Sequence, residues 1–304
     1  MSKVTHGSDR PERARFPRGF GPFTLEQQIG KGSRSLVFLA RDNRDNAPVA
    51  LKMLPVTQES TLDVQRKSMQ QEAQRLRALA HDHIIPLRQH GEINETPYLS
   101  FPFISGKSFD QILHEKKLKA PLLEAMLKVC GALGHAHVRG LIHRDLKPNN
   151  IIVDQRNEPF VLDWGLSWKV GSKPDPRIQN IVGTPAYMSP EQARGEELNL
   201  TPATDVYSLG AMLYHLVTGK PPFVAETSWK TMQMAMSLPP HPPSKLRTTV
   251  DLKLERVILW CLEKEPEGRY GDANELSEDL QRALEADAPK GPAGFLNRLF
   301  KKRR

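Results

Sequence analysis

The sequence predicts an α+β protein with two lobes, a small antiparallel β lobe with one main helix and a larger, mainly helical lobe. Three observations predict this class. Strand-like apolar runs dominate from Phe23 to about residue 104. One helical period interrupts them. After Ser105-Gly106 the apolar spacing becomes helical as far as residue 286. A chain of 304 residues is long enough for one large domain or two lobes.

The predicted first lobe begins with three strand-like runs separated by short turns, as in an antiparallel meander: FTLEQQI, SLVFLA and PVALKML. A helix is predicted for LDVQRKSMQQEAQRLRALA, because Val64, Met69, Leu76 and Leu79 recur at helical spacing. Two further strand-like runs follow, IIPLRQH and PYLSFPFI. Together these elements make a unit of about 80 residues, within the usual size of a domain.

The predicted second lobe contains five helical segments, SFDQILHEK, LLEAMLKVCGALGHAHVRG, TDVYSLGAMLYHLVTG, DLKLERVILWCLEK and ANELSEDLQRALEA. Most of them start on polar or capping residues, and two end on glycine, which is typical of helix termini. Cys130 and Cys261 fall within apolar helical stretches, so we expect both to be reduced core residues in a cytoplasmic protein.

The two ends of the chain carry all of its net charge of +8. Residues 1–20 contribute +3 and residues 287–304 contribute +5, so the body between them is formally neutral. A neutral body gives no reason to expect a nucleic-acid partner. Residues 1–22 contain three prolines and no structural period, which predicts a basic disordered segment.

The C-terminal residues 287–304 are predicted to form a basic amphipathic tail. In FLNRLFKKRR, four apolar side chains share one helical face and a basic cluster follows. Such a segment can make a peripheral contact with an anionic membrane, here the inner membrane surface. A solvated tail, or a helix that docks on the body of the protein, explains the pattern equally well.

Two features of the first lobe are compatible with phosphate binding. Gly30 and Gly32 lie between two strands and would let backbone amides approach an anion closely, although Gly-x-Gly is more often a hairpin turn. Lys52 lies inside an apolar strand, where burial is costly unless the ammonium pairs with a carboxylate or phosphate. Glu72 is the best-placed acid on the following helix; the alternative is an edge strand with a solvated lysine.

The segment LIHRDLKPNNIIVD carries the densest set of reactive side chains. Asp145 can accept a proton, Lys147 can neutralise phosphate charge, and Asn150 can bind a hard metal ion through oxygen. Asp163 follows Asn150 by 13 residues, at the end of the next strand-like run. Taken alone, Asp163 is either a second metal ligand or an ordinary residue at a strand end.

In their order along the chain, these segments resemble the protein kinase family, specifically the bacterial Ser/Thr kinases of eukaryotic type. The resemblance covers residues 23 to about 286, and its motifs are GKGSRSLV, VALK, the helix glutamate, HRDLKPNN, DWG, GTPAYMSPE, DVYSLG and EPEGRY. It implies a bilobal protein-kinase-like fold with an N-lobe over 23–104 and a C-lobe over 105–286. It also implies an ATP-dependent protein Ser/Thr kinase with a signalling role.

The resemblance further implies ATP and Mg²⁺ or Mn²⁺ as cofactors, a protein Ser/Thr substrate, and a set of site residues. Those implied for the nucleotide are Ile29, Gly30, Gly32, Val37, Ala50, Lys52, Phe101, Pro102, Ile104 and Ile152. Those implied for catalysis are Asp145, Lys147, Lys52, Glu72 and Thr184. Those implied for the metal are Asn150 and Asp163.

Within that set, Asp145 would orient and deprotonate the substrate hydroxyl, and Lys147 would steady the γ-phosphate. Lys52 would hold the α- and β-phosphates while pairing with Glu72. Two supporting contacts are implied outside the set. Glu191 would pair with Arg269, and Asp205 would brace the catalytic loop.

The chain departs from the family pattern at two positions. Ser35 replaces the third glycine of the phosphate loop, and Trp164 replaces the usual phenylalanine after Asp163; neither removes a reactive group. Two alternatives remain, a pseudokinase scaffold and a small-molecule phosphotransferase of related fold. Residues 164–183 offer only Ser167 and Ser172 as phosphate acceptors, so we expect little dependence on phosphorylation of this loop.

Overall fold

The computed structural model describes residues 16–32, 35–54, 61–115, 120–172 and 183–285. Tertiary contacts divide the chain into two units. The first unit comprises the residues up to Gln70 together with Leu87–Phe103, and the second comprises Gln71–Pro86 and the residues from Ile104 onward. The two units therefore meet along the chain at residues 103 and 104, and residues 71–86 belong to the second unit.

The first unit is built on a six-stranded sheet with the order β1-β2-β3-β4-β6-β5, in which every pair of neighbours is antiparallel. Its strands are β1 (Arg18–Phe20), β2 (Phe23–Lys31), β3 (Leu36–Asp42), β4 (Ala47–Met53), β5 (Gln89–Ile93) and β6 (Thr96–Pro102). Alternate side chains on β2, β3 and β4 point to one face, as the period of two requires. They form a core with Tyr98: Phe23, Leu25, Phe38, Ala40, Val49 and Leu51.

The predicted disorder of residues 1–22 is wrong for residues 16–22. Arg18–Phe20 pairs with β2, and Phe16 and Phe20 pack against the core of the sheet. Two aromatic side chains anchor this segment, but three residues are too few to show a strand period in the sequence. Residues 1–15, for which disorder was also predicted, lie outside the described residues.

The strand predicted for IIPLRQH is also displaced, because β5 begins only at Gln89. Ile84 and Ile85 are buried in the second unit instead. There the amide of Ile85 donates to the carbonyl of Val161 at 3.1 Å, and the amide of Val161 donates to the carbonyl of His83 at 2.8 Å. A short buried apolar run of this kind cannot be told from a strand by its pattern alone.

The predicted helix of the first lobe is present as α1 (Leu62–Ala78). Met69, Leu76 and Leu79 are buried as expected, and Val64 is half-buried. Arg75 and Arg77 lie in its last turn, where the negative end of the helix dipole favours cations.

All five helices predicted for the second lobe are present as α2 (Phe109–His114), α3 (Ala120–Val138), α5 (Pro202–Thr218), α8 (Leu252–Cys261) and α9 (Ala273–Glu285). Three others were not predicted: α4 (Pro190–Ala193), α6 (Ser228–Ser237) and α7 (Pro243–Leu246). Nearly every residue of α5 is buried, so this helix forms the centre of the second unit. None of the helices in the described ranges combines the length and hydrophobicity that a membrane crossing requires.

Both cysteines lie in the helical core. Cys130 and Cys261 are fully buried free thiols, as predicted. Burial raises the pKa of the Cys130 thiol to about 12, which keeps it protonated and unreactive at neutral pH.

Short antiparallel strands position the loops of the second unit. They are β7 (Gly106–Ser108), β8 (Leu141–Ile142), β9 (Ile151–Asp154), β10 (Pro159–Val161) and β11 (Trp168–Lys169). They form the sheets β10-β9-β7 and β11-β8. Residues 143–150 therefore connect β8 to β9, and residues 162–167 connect β10 to β11. These two connections contain Asp145, Asn150 and Asp163.

Candidate active site

The carboxylate of Asp145 is the centre of the candidate site. It is 7% exposed, and its Oδ2 lies 2.7 Å from the Nζ of Lys147. The Nδ2 of Asn150 donates to the carbonyl oxygen of Asp145 at 2.7 Å and approaches its Oδ2 at 3.3 Å. The tight turn at Pro148–Asn150 makes these contacts possible, because it folds Asn150 back toward Asp145.

Thr184 occupies the other side of the same carboxylate. Its Oγ1 donates to Oδ1 of Asp145 at 3.3 Å. Gly183, just before it, has a φ of +131°, where a side chain would be strained, and a Cβ there would lie 3.1 Å from the Cε of Met188. Both carboxylate oxygens of Asp145 therefore accept hydrogen bonds, Oδ2 from Lys147 and Asn150 and Oδ1 from Thr184.

His143 connects this loop to the segment that carries Asp163. Its Nδ1 accepts from the amide of Asp145 at 3.3 Å, so its Nε2 carries the hydrogen and donates to the carbonyl of Leu162 at 2.8 Å. The imidazole also meets the ring of Trp164 edge-on, with centroids 4.8 Å apart.

Asp163 lies just after β10, and Asn150 lies just before the neighbouring strand β9. Val161 pairs with Ile151, and the amide of Leu162 donates to the carbonyl of Asn150 at 2.8 Å. Asp163 has a φ of +57°, a left-handed conformation that aspartate adopts more readily than most residues. Trp164, next to it, is fully buried.

Asn150 and Asp163 fit a magnesium ion by the chemistry of their donors. Both offer hard oxygen ligands, and magnesium in nucleotide sites uses one or two protein ligands together with phosphate oxygens. Within the described ranges, no group of three His, Cys, Asp or Glu side chains could hold a metal by itself.

Asp205, in the first turn of α5, holds the backbone of the loop 143–150. Its buried carboxylate accepts from the amides of His143 at 2.7 Å and Arg144 at 3.0 Å, as the family resemblance implied. Burial alone would raise the pKa of Asp205, but hydrogen bonds from His137 and from the amide of His143 outweigh it and lower that pKa. His137 also accepts from the amide of Ala273 at 3.2 Å, a link between α3 and α9 that no motif indicated.

The expected contact between Glu191 and Arg269 is present as a buried, bidentate ion pair. The guanidinium Nη1 and Nη2 of Arg269 each lie 2.9 Å from a carboxylate oxygen of Glu191, and both side chains are at most 1% exposed. Burial would raise the pKa of Glu191, but hydrogen bonds from Arg269 and Thr204 lower it overall. This pair fixes the end of the segment 183–191 within the second unit.

The candidate phosphate-binding residues of the first unit lie on adjacent strands. Gly30 pairs with Val37, and Val37 pairs with Lys52. The amide of Gly32 donates to the carbonyl of Ser35 at 2.8 Å, and a Cβ on Gly32 would lie 2.8 Å from the Oγ of Ser35. Glycine at position 32 therefore allows this close approach to Ser35.

The candidate adenine-contacting residues of the first unit are also neighbours in the sheet. Ala50 pairs with Phe101, and Val49 pairs with Pro102. Ala50, Phe101 and Pro102 are half-buried on the adjacent strands β4 and β6. Ile29, on β2 of the same sheet, exposes 43% of its surface.

Three further candidate residues, which the resemblance assigns to the nucleotide site together with residues of the first unit, belong to the second unit by their contacts. They are Glu72, which is buried on α1, Ile104, and Ile152, which is half-buried on β9. The pairing of Lys52 with Glu72, and the assembly of the nucleotide site from both sets, stay predictions.

The protein kinase domain model matches residues 23–280, which is most of the chain. This chain belongs to the protein kinase family. The serine/threonine-protein kinase PknB of Mycolicibacterium smegmatis is 34% identical to this kinase over 300 residues, and that of Mycobacterium leprae is 32% identical over 299 residues. Each alignment covers 96% of this kinase but 46% of the relative, so the chain spans about half the length of the curated relatives it matches.

A solved structure, the kinase domain of Mycobacterium tuberculosis PknI, matches this kinase with a TM-score of 0.67. The two are 24% identical in sequence, and the match covers 89% of this chain and 100% of that one. At that identity the likeness shows the fold alone. The predicted resemblance to bacterial Ser/Thr kinases and the predicted α+β kinase fold are thus confirmed.

Proposed function

We propose that this kinase uses ATP to phosphorylate serine or threonine residues of a protein substrate in a signalling role. One observation carries the proposal: the buried carboxylate of Asp145 is oriented on both oxygens by Lys147, Asn150 and Thr184. A base held in this way suits a reaction in which the enzyme contributes mainly positioning and charge. The similarity to two serine/threonine-protein kinases supports serine/threonine specificity.

Asp145 would accept the proton of the substrate hydroxyl, and Lys147 would offset negative charge beside it. Bound ATP with Mg²⁺ or Mn²⁺ would supply the phosphoryl group and neutralise its charge. Asn150 and Asp163 would hold the metal. The amide of Leu162, the residue before Asp163, donates to the carbonyl of Asn150, which supports the binding of one metal ion by both residues.

The nucleotide itself would be held by residues of both units. Gly30, Gly32 and Val37 would cover the nucleotide, and Lys52 would hold its α- and β-phosphates while pairing with Glu72. The carbonyl of Pro102 and the amide of Ile104 would bind the adenine edge, with Phe101 behind it. Ile29, Ala50 and Ile152 would contact its faces.

The experiment that tests the proposal compares Asp145→Asn with Asp63→Asn in transfer of label from γ-labelled ATP to a protein mixture. Asparagine keeps the shape of Asp145 but cannot take a proton, so we expect transfer to fall by about 10²–10⁴-fold. Asp63 is matched in type, but its side chain is 91% exposed on α1, so its variant should keep wild-type transfer. Equal transfer by all three proteins would refute the proposed role of Asp145.

We also propose that the basic tail, residues 287–304, makes a peripheral contact with an anionic membrane. Only its sequence supports this, because the tail lies outside the described residues. Sedimentation with anionic and neutral vesicles, with and without residues 291–304, tests the contact. Binding to anionic vesicles that requires those residues supports it, and equal binding after their removal contradicts it.

A further inference from the structure

The backbone of Arg144, next to Asp145, is fixed from two sides. Its amide donates to Oδ1 of Asp205 at 3.0 Å, and its carbonyl accepts from the Nε2 of Gln192 at 2.7 Å. Arg144 has a φ of +71°, which a residue with a Cβ adopts only when its surroundings enforce it. The conformation of the turn that carries Asp145 therefore depends on what holds Arg144.

The side chain of Arg144 is buried, with 5% of it exposed, and it needs a counter-charge there. Its guanidinium carbon lies 5.2 Å from the ring centre of Trp168, on β11. Its Nη2 lies 3.4 Å from Oε1 of Glu197, whose side chain is 20% exposed. Burial lowers the pKa of Arg144, and the charge and hydrogen bond of Glu197, followed by the charge of Asp205, oppose that shift. Glu197 is thus the acid that contacts this guanidinium among the described residues.

A second cation near Arg144, the guanidinium of Arg75, increases the need of Arg144 for a negatively charged partner. Burial and the nearby charge of Arg144 both lower the pKa of Arg75, on α1, while Glu72 opposes the shift. The Nε of Arg144 is also buried without a hydrogen-bond partner in the described part of the chain. The guanidinium of Arg144 is therefore set for an anion, and Glu197 supplies it.

The segment 164–183 offers few hydroxyl groups that could carry a phosphate to neutralise Arg144. It contains only two hydroxyl residues, Ser167 and Ser172. Ser167 is buried, and its Oγ donates to the carbonyl of Trp164 at 2.6 Å. Where a kinase loop is ordered by phosphorylation, the phosphate acts by pairing with arginine.

We propose that Glu197 is the permanent counter-ion of Arg144 and that, with Trp168, it positions the Arg144–Asp145 turn for phosphoryl transfer without a phosphate on the loop. Glu197 is a positioning residue in this account, because it acts through Arg144. The inference rests on the proposed role of Asp145 as the catalytic base.

The test measures kcat and KM for ATP in Glu197→Gln and Glu197→Ala, with Glu196→Ala as the matched control in the same loop. We expect both Glu197 variants to lose about ten-fold in kcat with KM nearly unchanged, since a displaced catalytic group costs up to about a hundred-fold. Glu196→Ala should keep the wild-type kcat, because Glu196 contacts Arg194 and Asn199 instead. Glutamine keeps the shape of the side chain, so it carries the test if the alanine variant does not fold.

An anion should replace the missing carboxylate. Sodium sulfate should raise the kcat of Glu197→Ala several-fold over sodium chloride of equal ionic strength, and should leave the wild type unchanged. Because sulfate also stabilises folded proteins in general, its effect on kcat is compared at a temperature where the circular dichroism of Glu197→Ala shows the variant fully folded in both salts. A wild-type kcat in Glu197→Gln, or no response of Glu197→Ala to sulfate, would overturn the inference.

Phosphatase treatment provides the second arm. Wild-type kinase stripped of phosphate, as checked by mass spectrometry, should keep its kcat, and a loss that autophosphorylation restores would overturn the inference. An inactive Asp145→Asn with a fully active Glu197→Gln would refute only the role of Glu197. An active Asp145→Asn would refute the proposed function itself.

Discussion

Trp164 departs from the family pattern next to a candidate metal ligand, Asp163, without replacing it. The indole is fully buried and meets the ring of His143, and its Nε1 has no hydrogen-bond partner in the described ranges. An unpaired buried N–H costs free energy, so the large apolar contact area of the indole must outweigh that cost. Asp163 keeps its own conformation next to it.

We expect Trp164→Ala to lower the free energy of unfolding by about 3–5 kcal/mol, the range for truncating a buried aromatic side chain. Trp229→Ala is the matched control, because Trp229 is 55% exposed and its loss should change stability by about 0.5 kcal/mol or less. Urea unfolding followed by circular dichroism measures both. Equal effects of the two variants would mean that Trp164 is not part of a close-packed core.

At the scale of elements, the turn between β3 and β4 depends on one buried carboxylate. The Nε and Nη2 of Arg44 donate to Asp42 at 2.8 and 2.6 Å, and the amide of Asn46 donates to the carbonyl of Asp42 at 2.8 Å. The hydrogen bond from Arg44 lowers the pKa of Asp42 from 3.8 to about 2, against the effect of burial. A lowered folded pKa stabilises the protein above the unfolded value of 3.8.

Asp42→Asn should therefore destabilise the kinase by about 1–3 kcal/mol at neutral pH, the cost of a lost buried charged hydrogen bond. The difference from wild type should stay constant at higher pH and shrink as the pH falls from 3.8 toward 2. Urea unfolding over a pH series checks this, with Asp63→Asn as the control. A difference that grew with acidity would contradict the assigned direction of the pKa shift.

The second unit relies on a buried ion pair, since Arg269 ties the segment before α9 to Glu191. Arg269→Ala would leave the carboxylate of Glu191 buried without its partner and should cost about 3–5 kcal/mol. Replacing both residues, in Glu191→Gln with Arg269→Met, should cost less than Arg269→Ala alone, because no uncompensated charge remains.

Denaturant unfolding compares these variants with Arg282→Ala, whose side chain is 69% exposed and whose loss should have little effect. If the double variant proved the least stable of the set, the account of Glu191 as a charge that needs compensation would fail.

At the scale of the whole molecule, the sequence alone predicts the features that depend on residues close together in the chain. The loop from His143 to Asn150 is short, so its spacing alone brings Asp145, Lys147 and Asn150 together. The main helices and four of the strands of the first unit were predictable because their apolar periods are regular. Except for Glu72 and Ile104, which belong to the second unit, the candidate residues lie in the units to which the family resemblance assigned them.

Other features depend on residues far apart in the chain, and local patterns do not contain them. Glu197 reaches Arg144 across 53 residues, and His137 reaches Ala273 across 136. Strand β1 is only three residues long, and Ile84 contributes to the second unit although its pattern resembles a strand of the first. Such contacts follow from tertiary packing, which a single sequence does not display.

The most direct test of the central claim is the Mg²⁺-dependent transfer of label from γ-labelled ATP to protein by wild type and Asp163→Asn, with phosphoamino-acid analysis of the product. We predict labelled serine or threonine from wild type only when Mg²⁺ or Mn²⁺ is present, and a loss of transfer in Asp163→Asn. Asp63→Asn should match wild type. A wild type that binds ATP but transfers no label, or an Asp163→Asn that transfers it equally well, would contradict the account and indicate a pseudokinase scaffold or a different site.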